Sequence, residues 1–151
     1  LNIGGTVAVE KNKWSIHFDE NSYKTVDGSQ TVTANTITGT NVQFNSTLKK
    51  PGDFCAFTIK AVNDGTFNAV LKQLNMSTLT PEQSKYLTYT VNYAGTPYTS
   101  SDATLNTALN VGNNADVVVR VDYVAPANSA VLPPENVGVD LSLQLVYNQA
   151  K

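Results

Sequence analysis

The chain is poor in the residues that usually carry chemistry. Its 151 residues include one cysteine, one histidine, one tryptophan and one methionine. A lone cysteine, Cys55, forbids an intramolecular disulfide. It lies in FCAFTIKAV, in phase with Phe57, Ile59 and Ala61, as a buried small hydrophobe would. A catalytic thiol wants a histidine base, and the single His17 sits between Ile16 and Phe18 on the polar side of an alternating segment. Zinc-ligand spacing, a nucleophile elbow and a phosphate-binding glycine loop are all missing. Asp64-Gly65 lacks the oxygen-ligand spacing of a calcium loop. The expectation is a non-enzyme with no cofactor and no metal.

Charge is scarce as well. Only 15% of residues are charged, the net charge is −2 and the pI is about 5.2. The ten lysine and arginine residues are scattered, with Lys49-Lys50 the one adjacent pair, so there is no basic stripe for nucleic acid or an anionic membrane. No apolar run approaches a membrane span. The chain opens on Leu1 without a basic or hydrophobic leader, which points to a processed mature form or a trimmed chain.

What remains is alternation. An apolar content of 41%, rich in Val and Tyr among many Thr and Asn, suits half-buried sheet. Trp14, Ile16 and Phe18 share one face, and Val42, Phe44 and Leu48 mark another strand. The run Phe54–Val62 meets Asn63-Asp64-Gly65-Thr66 before Phe67–Leu74, the pattern of a hairpin turn. Thr80 followed by PEQSKYL reads as a short helix over about 81–86. LTYTVNY alternates through Leu87, Tyr89, Val91 and Tyr93. Gly95-Thr96-Pro97 reads as a turn, and 100–114 as mostly loop. DVVVRVDYV and GVDLSLQLVY close the chain as two long strands. With roughly eight or nine strands and no βαβ rhythm, the chain is expected to be all-β. The architecture would be an antiparallel jelly-roll or Greek-key β-sandwich with one short helix. Residues 11–151 would form a single sandwich domain, and residues 1–10 a protruding N-terminal strand.

Two weaker signals point to sugar. Tyr86, Tyr89, Tyr93 and Tyr98 would suit an aromatic platform, but Tyr89 and Tyr93 share the Leu87/Val91 face and belong to the core. Asn45-Ser46-Thr47 and Asn75-Met76-Ser77 match the glycosylation sequon. With 17 Asn and 28 Ser plus Thr, such matches arise by chance.

The terminal strand is the most specific feature. In LNIGGTVAV, Leu1, Ile3, Val7 and Val9 fall on one side and Asn2, Thr6 and Ala8 on the other. Gly5 leaves a gap in the apolar row, and Gly4-Gly5 is expected to loosen the middle of the strand. Such a strand must pair with a sheet, in its own molecule or in a neighbour.

Several segments in this order look familiar: LNIGGTVAV, KWSIHFDE, FTIKAVNDGTFNAVLKQL, LTPEQSKYLTYTVNY and the stretch from VVVRVDYV to LQLVYNQA. Together they resemble secreted subunits of the TasA/camelysin type, fibre-forming proteins of biofilm matrices, and are similar in design to archaeal bundling pilins. The resemblance implies a jelly roll missing one strand, a secreted or cell-surface location, and polymerisation in which one subunit's N-terminal strand completes the next. It assigns Leu1, Asn2, Ile3, Gly4, Gly5, Thr6, Val7, Ala8 and Val9 to the donor strand. Leu1, Ile3, Val7 and Val9 would fill pockets, and Gly5 would pass a tight point of the acceptor. The apolar faces of 117–123 and of the last strand are the expected acceptor lining. The implied partner is a second copy of the chain in a head-to-tail homopolymer, with anchoring or capping proteins unidentified. The rival expectations are a monomeric surface adhesion or carbohydrate-binding sandwich and, more remotely, a small hydrolase.

Overall fold

A computed structural model describes residues 11–125 and 134–151. The strands, in chain order, are β1 (Ile16–Thr25), β2 (Val32–Thr38), β3 (Asn41–Leu48), β4 (Phe54–Asn63), β5 (Ala69–Met76), β6 (Leu87–Tyr93), β7 (Thr96–Tyr98), β8 (Thr107–Leu109), β9 (Asn114–Tyr123) and β10 (Val137–Gln149). They form two five-stranded antiparallel sheets, ordered β1-β4-β9-β6-β7 and β2-β3-β10-β5-β8. Only β2–β3 and β6–β7 join as hairpins within one sheet; every other connection crosses between sheets, the switching expected of a jelly roll. The chain is a β-sandwich.

The period of two dictates the core. On β9, Ala115, Val117, Val119, Val121 and Tyr123 point inward; on β10, Val139, Leu141, Leu143 and Leu145 do the same. Register keeps like with like. Cys55, Phe57, Ile59 and Ala61 of β4 stand opposite Val121, Val119, Val117 and Ala115. Across the other sheet, Leu141 and Leu143 stand opposite Phe44 and Val42. Each large side chain taken from water contributes about 1.5–3 kcal/mol. Phe44 locks the sheets together, meeting Phe57 edge-on at 5.2 Å and Tyr89 at 6.0 Å. The buried phenols are satisfied: the Tyr89 hydroxyl donates to the Ser142 carbonyl at 2.9 Å, and those of Tyr93 and Tyr147 pair at 2.8 Å.

Four local expectations need correction. The Asp64-Gly65 turn does not close a hairpin, because β4 and β5 lie in different sheets. Its glycine instead lets the loop press against the chain before β1: a Cβ on Gly65 would lie 2.7 Å from the Lys13 carbonyl oxygen and from the Ser15 nitrogen. The helix over 81–86 is a single 3-10 turn, Gln83–Lys85. Thr80 and Gln83 cap each other's backbone N–H groups there, but Tyr86 and Leu87 are buried and pull the chain straight into β6. The turn after β6 is Ala94-Gly95, both at positive φ (48° and 90°), so Thr96-Pro97 begins β7. Pro97 sits opposite Asn92 at a non-hydrogen-bonded position, where its missing N–H costs nothing. Finally, Trp14 does not share the burial of Phe18. It precedes β1 and is 47% exposed.

Candidate acceptor cleft

Sheet edges decide where another strand can bind, and they differ sharply here. β5 is sealed along its outer edge. β8 pairs with Ala69–Leu71, and Leu74 exchanges two 2.9 Å backbone bonds with Asp102. The Ser101 hydroxyl serves both backbone groups of Met76, accepting from its N–H and donating to its carbonyl. The loop carrying these groups is fastened in turn, since Thr104 donates from its N–H and its hydroxyl to Asp102.

β6 is not sealed. β9 covers one edge of it from Leu87 to Tyr93, whereas β7 covers the other only from Val91 to Tyr93. In the two-residue hairpin, Tyr93 and Thr96 form the hydrogen-bonded pair, so odd-numbered residues of β6 turn their N–H and C=O away from β9. The Tyr86 carbonyl accepting from Val124 and the Ala94 N–H donating to Asp116 fit that alternation from both ends. Leu87 and Tyr89 therefore present backbone groups to an edge that no strand among the described residues covers. Such an edge is a template for one more strand.

A cleft of about 620 Å³ opens beside that edge, lined by Met76, Leu79, Tyr89 and a rim of serines and threonines that includes Thr88, Thr90 and Ser100. Met76 and Tyr89 form a buried apolar floor and belong to the core cluster. An apolar side chain projecting from an added strand would find hydrocarbon below and hydroxyls at the mouth. Comparison with protein-family models, curated proteins and solved structures yields no match for this chain.

The donor residues Leu1, Asn2, Ile3, Gly4, Gly5, Thr6, Val7, Ala8 and Val9, and with them the proposed 1–10 strand, lie outside the described residues. The faces of 117–123 and of the last strand, the expected acceptor lining, belong to central strands and are buried. β9 lies between β4 and β6, and β10 between β3 and β5, so their apolar faces meet inside the closed core. Residue pattern alone misses the cleft, because an open edge depends on how far the neighbouring strand runs. One signal was present: TPY gives way at once to Thr, Ser and Asp, too soon to accompany all of LTYTVNY.

The remaining candidates do not assemble into chemistry. Tyr86, Tyr89 and Tyr93 are buried and offer no platform. Cys55 is buried, and desolvation pushes its thiol up to about 11 although the Ser46 side chain acts in the opposite direction. His17 places Nδ1 3.0 Å from the Phe18 carbonyl and Nε2 3.2 Å from Asp64. The Ser15 hydroxyl donates to the same carboxylate. Serine and histidine thus converge on Asp64 rather than on each other, and the hydroxyl faces no base. Among the described residues no cluster of His, Cys, Asp and Glu could hold a metal ion. None of the helical segments among them is long and apolar enough to cross a membrane.

Proposed function

We propose that this chain is a secreted, non-enzymatic structural subunit that builds extracellular filaments. In this reading residues 1–9 of one copy add a strand beside Leu87–Thr90 of the next. The uncovered β6 edge, with the Met76/Tyr89 cleft beside it, is the observation that carries the proposal. Backbone bonds from Leu87 and Tyr89 supply affinity, and the cleft selects an apolar side chain from the incoming strand. Donor and acceptor are different surfaces of one chain, so the contact is heterologous and propagates. Assembly would also hide an edge that invites nonspecific pairing.

Deletion of residues 1–9 tests this directly. Electron microscopy should show filaments for the full chain and monomers for the deletion, which keeps its circular dichroism spectrum. Filaments persisting in the deletion would refute strand donation.

A further inference from the structure

Trp14 is the chain's only tryptophan and, among the described residues, its most exposed large apolar side chain. It separates two shallow depressions on the surface. One, of about 390 Å³, is lined by Trp14, Phe67, Tyr147, Asn148 and Gln149. The other, of about 240 Å³, lies between Trp14, Ile16, Thr40, Tyr147 and neighbouring β10 residues including Gln144. Trp14 and the partly buried Tyr147 line both hollows. No described charged side chain lines either one.

Trp14 is held in place. The Lys13 carbonyl accepts from the Thr66 N–H at 2.9 Å, the Lys13 N–H donates to the Thr66 hydroxyl at 2.9 Å, and the Ser15 carbonyl accepts from the Asp64 N–H at 3.1 Å. Both neighbours of Trp14 are therefore fastened to the 64–66 loop, and Gly65 allows the close approach. A ring on a fixed backbone loses little freedom when something stacks on it. Beside it, the Asn148 and Gln149 side chains are exposed and make no hydrogen bond to any described residue, so both amides have donors and acceptors to offer.

We infer that the exposed Trp14 and the two hollows beside it are a binding site for a neutral polysaccharide, with one pyranose ring in each hollow. A pyranose presents a flat face of C–H bonds that stacks on an aromatic ring, and its hydroxyls both donate and accept. Uncharged amides answer that chemistry, and no described charged side chain lines either hollow. The hollows sit at the small end of ligand sites, so a single contact is weak and gains strength when many copies meet one long polymer. This site is independent of strand donation.

Because Trp14 is the sole tryptophan, its fluorescence reports on this site alone. Titration of the full chain with cellohexaose and with chitohexaose should give saturable quenching or a blue shift for at least one of them. Calorimetry with that sugar should show no binding to a Trp14→Ala variant. The Asn148→Ala/Gln149→Ala pair, which keeps the fluorophore, should bind about tenfold more weakly. Silence with both sugars at millimolar concentration would overturn the proposal, as would unchanged affinity in the double amide variant.

Discussion

The two ring nitrogens of His17 both face acceptors, the Phe18 carbonyl at 3.0 Å and the Asp64 carboxylate at 3.2 Å. Only the imidazolium donates to both at once. The Phe18 carbonyl, then Asp64, accordingly raises the His17 pKa above its ordinary 6.5. The Ser15 hydroxyl, then His17, lowers that of Asp64 below 3.8.

The pH dependence follows from these directions. The His17 contribution is complete below its unfolded-state value of 6.5 and is lost as pH rises through the higher folded-state value. The Asp64 contribution is complete above 3.8 and is lost as pH falls through the lower folded-state value. The pair therefore stabilises most between the two ordinary values. Both side chains are largely exposed, at 41% and 56%, so the effect is below about 1 kcal/mol. His17→Gln should lower Tm slightly in mildly acidic buffer and not at all in alkaline buffer. A single-histidine NMR titration should place the wild-type midpoint above 6.5.

Gly65 and Gly138 make a controlled contrast. Alanine at Gly65 would drive its Cβ into two backbone atoms at 2.7 Å, whereas Gly138 has nothing within 4 Å. Gly65→Ala should cost about 1–3 kcal/mol in a denaturant titration, and it should shift Trp14 emission because the loop holds that ring. Gly138→Ala should be close to neutral.

Cys55 should be inert in the folded protein. Raising its pKa from 9.0 to about 11 reduces thiolate at neutral pH roughly a hundredfold, before burial blocks access. Labelling with a thiol-specific disulfide reagent should be very slow in buffer and prompt in denaturant.

Much of the fold was legible in the sequence, and the limits have physical causes. Alternation located β3, β4, β6, β9 and β10, whose inward residues are large and apolar. It missed β2, where TVTANTIT carries too few apolar side chains to set a period. It also missed β7 and β8, each three residues long. Asp64-Gly65 was read as a hairpin because turn chemistry says that a chain reverses, not which sheet it enters next. The position of sheet edges followed the same logic. Alternation marks β9 and β10 as the most apolar strands, and they are central; that part of a β6 edge lies beside no described strand depends on how early its hairpin partner stops.

The central claim rests on the edge at Leu87 and Tyr89, and hydrogen exchange reads those two amides. A chain of residues 11–151 should exchange them readily. Adding a synthetic peptide of residues 1–10 should strongly slow both while leaving the β9-bonded amides of Thr88 and Thr90 little changed. If the peptide binds without protecting Leu87 and Tyr89, or does not bind at all, strand donation to β6 is wrong.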